Sequence, residues 1–177
     1  MPIISPNIRV RCPEHFVIGD RSIVDDYCYF STRVRVGRAS HIASGCTIAG
    51  GPSRQFTMGD YSSLSAGVKI WCASDVFAND IVTIIPEEAG SGKTHFIVGD
   101  VTFGDFTAAG ANSVIMPDNA IPEGTVLGAL SFVPPQFEFE AWSVYAGAPV
   151  RFVARRNKEN VLAQIRRLDD ALGIVRG

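Results

Sequence analysis

At 177 residues the chain is long enough for one domain with a sizeable core, and 46% of it is apolar. Sixteen basic residues against eighteen acidic ones leave a formal charge of -2, which gives no bulk attraction for nucleic acid or an anionic membrane. No apolar run reaches the roughly 18 residues of a membrane span. The first residues, MPIISPNIRVRCPE, lack the apolar region of a signal peptide, so a cytoplasmic protein is expected.

Residues 1–17 show no clear period. From Ile18 an apolar residue recurs every sixth position: Ile18, Val24, Phe30, Val36, Ile42 and Ile48. The run breaks at Gly50-Gly51-Pro52, a turn cluster, and resumes as Met58, Leu64 and Ile70. A third run holds Phe103, Ala109, Ile115, Ile121, Leu127 and Val133. All fifteen positions are apolar, an accident of roughly one in a thousand once the three phases are chosen freely.

A small or turn-forming residue tends to follow each apolar one, as at Gly104, Gly110, Pro122, Gly128 and Pro134. Four places along sits something compact, as at Ser22, Cys28, Ser40, Cys46, Thr107, Ser113, Asn119, Thr125 and Ser131. A helix needs apolar spacings of three and four, and an amphipathic strand needs alternation. A period of six with a bend in each unit predicts short strands joined by tight corners, wound as a parallel β-helix of about five coils. Three units make a turn, so residues 18 apart stack about 4.8 Å along the axis. Ser22 then meets Ser40, Val24 meets Ile42, Cys28 meets Cys46, and Ile115 meets Val133. Cys12, Cys28, Cys46 and Cys72 form no CxxC pair, so they read as reduced core fillers, not as a zinc or disulfide framework.

Residues 71–96 carry no repeat and read as a protruding loop, since structureless segments of that length usually have a function. Val98-Gly99-Asp100 reads as the start of a returning unit, with a one-residue slip before Phe103. Pro134-Pro135 stops the repeat. Asn157 then caps a predicted helix whose Val161, Leu162, Ile165, Leu168 and Leu172 share one face and cover the open end of the coil. The expected organisation is an all-β domain over 1–156, which includes the loop, and a helix over 157–177.

The repeats, the loop and the tail SVYAGAPVRFVARR resemble the hexapeptide-repeat acyltransferases, left-handed parallel β-helix proteins, over about Ile18 to Arg156. GANSVIMPDNAIPEGTVLGALSFV is similar to the late coils of the sugar O- and N-acetyltransferase branch, and AGAPVRFV to its exit motif, with Arg151 two residues after the proline. The resemblance implies the left-handed sense, a homotrimer with active sites between subunits, and acetyl-CoA as co-substrate. It also implies a sugar or sugar-nucleotide acceptor in surface-polysaccharide synthesis. No metal, nucleic acid or membrane span belongs to this reading.

Thioester transfer needs a base beside the acceptor, donors for the developing oxyanion, and a slot for the pantetheine arm. Gly110, Ala111, Gly128 and Ala129 permit the close backbone approach such a slot needs. Arg151, Arg155 and Arg156 could meet the CoA phosphates, or form a solvated cluster. Members of the family place a catalytic histidine after the middle coils, where this chain reads Ile70-Trp71-Cys72-Ala73-Ser74-Asp75. The candidate base is therefore His95, oriented by Asp75 or Asp80; a loop-end histidine bonded to backbone is the alternative. His41, beside Ile42, should face outward, and His15 precedes the repeat. Trp71, Ser74 and Asn79 are the candidate acceptor contacts; Trp71 and Trp142 could form an aromatic platform for a sugar ring, with an end cap the alternative for Trp142. Two other functions remain open: a γ-type carbonic-anhydrase-like zinc enzyme, and a non-catalytic scaffold that has lost its base.

Overall fold

The computed structural model describes residues 1–76, 78 and 96–173, and among them the chain winds as a three-sided prism followed by one helix. The first face stacks Ile3–Ile4, Ile23–Val24, His41–Ile42, Ser63–Leu64, Ala108–Ala109, Val126–Leu127 and Ser143–Ala146 in parallel, with Arg151–Arg155 added antiparallel. The second stacks Arg9–Val10, Tyr29–Phe30, Thr47–Ala49, Lys69–Trp71, Val114–Ile115 and Phe132–Val133. The third stacks Phe16–Ile18, Arg33–Val36, Gln55–Met58, Val101–Phe103 and Asn119–Ile121.

The repeat positions all point inward. Val24 pairs with Ile42 and Ile115 with Val133, as the 18-residue spacing requires. Ile42, Ile48, Leu64, Ile70 and Ile115 have no exposed surface. Three residues after most inward apolar sites the chain turns a corner in the left-handed region, at Ala39, Gly45, Tyr61, Gly67, Phe106, Asn112, Gly124 and Leu130 among others. That conformation costs an L-residue about 1–2 kcal/mol, so each occupied corner must be held by its neighbours.

The second face has six rungs where about five coils were expected, because residues 3–18 build a rung of their own. Ile4, Val10 and Phe16 are six apart, but the phase slips by two before Ile18, which hides the period. Val98 also differs from expectation. Phe96–Val98 pairs antiparallel with Ala73–Asp75 as the foot of a hairpin, Val98 stands opposite Ala73, and inward packing resumes at Val101.

The corner between the third and first faces is closed by hydroxyl groups. The buried Ser22, Ser40 and Ser62 donate to the carbonyls of Gly37, Gly59 and Gly104. Each accepts from the backbone N–H of the next rung: Ser40 to Ser22, Ser62 to Ser40, Thr107 to Ser62. Buried polar backbone thereby finds partners where no sheet can supply them.

Asn157 caps the helix Lys158–Leu172 by accepting from the Asn160 N–H, as expected, but the helix lies along this same corner and not over the end of the coil. The Tyr61 hydroxyl donates to Asp169, and Arg21 reaches the Leu172 carbonyl at 3.4 Å. Leu168 and Leu172 are consequently 44% and 41% exposed, while Asp169 is buried. Tyr61, Phe106 and Trp142 stack beneath the helix with centroids 6.0 and 5.9 Å apart, the indole filling the space a side chain at Gly124 would need. The open end is covered by Phe137, Phe139 and Tyr145 instead. Among the described residues no helix is long and apolar enough to cross a membrane.

Candidate active site

The corner between the second and third faces is where the repeat is broken, and it is broken three times. Phe30 and Val36 are six residues apart, as are Ile115 and Ile121. Val10 and Ile18 are eight apart, Ile48 and Met58 ten, and Ile70 and Phe103 thirty-three. The first excess forms the short turn Pro13–His15, the second carries Gly51 and Pro52, and the third is the long loop. A solenoid can accept extra residues at a corner without losing register, so insertions build walls there.

Two concavities open beside the first two insertions. One of about 170 Å³ is lined by Glu14, His15, Arg33, Arg35 and Gln55. The other, about 380 Å³, is lined by Arg11, Cys12, Glu14, Ser31, Gly51 and Pro52. Glu14 belongs to both, and its carboxylate lies 3.8 Å from His15 Nε2. The foot of the loop is fixed to the same corner: the Gln55 N–H donates to Asp100 at 3.0 Å, and Cys72 Sγ donates to the Gln55 carbonyl at 3.6 Å. Burial pushes the Cys72 thiol up to about 12, so it is a neutral filler at ordinary pH.

Ser74 and Asp75 stand partly buried on the outgoing strand of the hairpin, with the Asp75 carbonyl 3.4 Å from Ser74 Oγ. Trp71, also partly buried, ends the strand just before the hairpin and pairs with Ala49. His95, Asp80 and Asn79 lie outside the described residues. His41 does face outward: its Nε2 is 2.8 Å from Asp25 Oδ2 on the first face, with the side chain 43% exposed.

Gly110, Ala111, Gly128 and Ala129 come together at a different corner, between the first and second faces. A side chain at Gly110 would strike the Ala129 nitrogen at 2.3 Å, and one at Gly128 would meet Ala146 Cβ at 2.9 Å. Arg151 pairs with Ala146 in the antiparallel register, which puts it beside this small-residue corner. Arg155 donates to Ser143 Oγ at 3.0 Å and pairs with Glu140. Arg156 lies farther off, with Nη1 donating to the carbonyls of Phe106 and Gly124 and its guanidinium 5.8 Å from the Trp142 ring. Desolvation lowers its pKa below the ordinary guanidinium value.

Sequence reasoning passed over Glu14, Arg33, Arg35 and Gln55. The available signal was that the slip before Ile18 and the Gly50-Gly51-Pro52 break fall on one edge. Among the described residues no three His, Cys, Asp or Glu side chains gather as a metal site.

No protein-family profile matches the chain. It is 28% identical over 151 residues to dTDP-4-amino-4,6-dideoxy-D-glucose acyltransferase of Escherichia coli, covering 82% of this chain and 74% of that one. The fold superposes with TM-score 0.84 on AntD, an N-acyltransferase from Bacillus cereus solved with dTDP and 3-hydroxybutyryl-CoA. That match is 28% identical and covers 96% of this chain and 88% of AntD. AntD variants with one serine or one aspartate replaced also hold dTDP or the dTDP-amino sugar together with coenzyme A. A maltose O-acetyltransferase from Clostridium difficile shares the fold at TM-score 0.56 and 19% identity, over 89% of this chain and 68% of that one. The coil is the left-handed β-helix of these acyltransferases.

Proposed function

We propose that this chain, a hexapeptide-repeat acyltransferase in sequence and fold, transfers an acyl group from a CoA thioester to an amine or hydroxyl of a sugar nucleotide. One observation carries the reading: similarity over nearly the whole length to an N-acyltransferase that holds an acyl-CoA and a dTDP ligand together. Acetyl is the proposed acyl group, a dTDP-amino sugar the first acceptor to try, and the cytoplasm the proposed location.

The acceptor's nucleophile attacks the thioester carbonyl, a base takes its proton, and backbone N–H groups hold the oxyanion until CoA leaves as the thiol. His95 is the proposed base, with Asp75 or Asp80 orienting it, and Trp71, Ser74 and Asn79 contact the acceptor. The corner of Gly110, Ala111, Gly128 and Ala129 receives the pantetheine arm. Arg151 and Arg155 are the proposed phosphate contacts, while Arg156 is held at another corner by the Phe106 and Gly124 carbonyls. Within one chain the hairpin and that corner sit on different edges of the prism, which supports a homotrimer whose sites form between one chain's loop and another's small-residue corner.

Mixing the protein with acetyl-CoA and dTDP-4-amino-4,6-dideoxyglucose should release one thiol per amide formed. No transfer to this or any other amino- or hydroxy-sugar nucleotide, with CoA still bound, would favour the scaffold reading. Undiminished turnover in His95→Ala removes that residue as base, and Ser74→Ala and Asp75→Asn then become the variants to compare.

A further inference from the structure

We infer that the cleft between Arg33 and Arg35 binds the diphosphate of the acceptor, an inference that rests on the sugar-nucleotide reading above. The two arginines leave the strand Arg33–Val36 on its outer side, while Val34 and Val36 point into the core. Alternate residues of a strand lie roughly 6.7 Å apart on one face. Two forked guanidiniums carried on one face at neighbouring outward positions can each engage one phosphoryl group of a linked pair.

The surroundings suit an anion of that shape. Arg33 Nε is held at 2.7 Å by the Pro52 carbonyl of the second insertion, which fixes the guanidinium plane and leaves its terminal nitrogens to donate. Among the described residues, neither Arg33 nor Arg35 has a carboxylate within ion-pair distance. Gln55 stands opposite Arg33 on the neighbouring strand as a neutral donor, and His15 closes the other side. Among the described residues Glu14 is the one acid lining the cleft, so two cations, one of them held by Pro52, face a single carboxylate.

Position separates this cleft from the proposed CoA slot. Arg33 and Arg35 lie on the second rung of the third face, near the N-terminal end. Gly110, Gly128 and Arg151 lie in the last rungs, on another corner. The Gln55 backbone N–H donates to Asp100 at the foot of the loop, so the cleft adjoins the hairpin with Ser74 and Asp75, toward which the sugar of the proposed nucleotide points. The acceptor thus enters from the N-terminal end and the thioester from the C-terminal end.

The test is calorimetric titration of the full chain with dTDP, with thymidine monophosphate and, separately, with acetyl-CoA. Arg33→Gln and Arg35→Gln should each weaken dTDP binding about tenfold and leave acetyl-CoA binding unchanged. Thymidine monophosphate should bind the native chain more weakly than dTDP. Arg166→Gln, an exposed helix position, removes the same charge elsewhere and should change neither ligand. Unchanged dTDP affinity in Arg33→Gln or Arg35→Gln, an equal loss in Arg166→Gln, or no dTDP binding by the native chain would overturn the assignment. If dTDP binds through these arginines while no acyl transfer occurs, the cleft stands and the proposed reaction falls.

Discussion

Two corners of the same prism have opposite histories of use. The one between the third and first faces carries no insertion. Serine and threonine hydroxyls tie rung to rung, three aromatic rings stack along it, and the helix is strapped over it through Asp169 and Arg156. The corner between the second and third faces holds all three departures from the repeat, two concavities and the foot of the loop. The difference teaches that a solenoid divides labour by edge: one keeps the register, and the other departs from it and forms the candidate site.

The largest effect should come from removing what the open corner carries. Replacing residues 77–95 by a short glycine-serine linker should lower turnover at least about a hundredfold, because the acceptor loses its positioning. The thermal midpoint should move little, and full turnover in the excised chain would break the division proposed here. Arg156→Ala probes the closed corner. It removes a charged donor from two carbonyls, so about 2–3 kcal/mol of stability should be lost in urea titration, with the KM for CoA less affected. Arg151→Ala should do the reverse, raising that KM severalfold at constant stability.

Ser62→Val sharpens the same point with a smaller change. The hydroxyl bridges the Gly104 carbonyl and the Thr107 N–H, so its loss should cost about 1–3 kcal/mol and leave kcat intact in the folded fraction. The smallest effect belongs to the first rung, where hydrogen bonds from Ser5 and Asn7 hold the Asp26 carboxyl below its ordinary range. A depressed folded-state value stabilises above the unfolded one and loses that contribution as pH falls through the folded one. Thermal midpoints should therefore drop below pH about 4 in the native chain, and Asp26→Asn should flatten that limb.

Much of this could be read from residues alone, and the limits have particular causes. The inward sites from Val24 to Val133 were legible because one apolar side chain per six residues is a local requirement of the turn. The first rung was not, because two extra residues between Val10 and Ile18 erase the phase that Ile4, Val10 and Phe16 share. The helix was legible from its cap and apolar spacing. Its seat was not, since only the stacked corner brings Tyr61 to Asp169, 108 residues away.

The site divides the same way. The loop announced itself by lacking the repeat, and the small residues at 110–111 and 128–129 by their place in it. Arg33 and Arg35 look like ordinary outward positions of a strand, and nothing in a linear reading sets them beside His15 and Gln55. Six-residue periodicity determined the coil, its core and its corners by itself, since each is fixed by side chains within a few positions. Which corner gathers the interruptions was decided by the tertiary structure, because stacking adds up insertions that are far apart in sequence and places them along one edge.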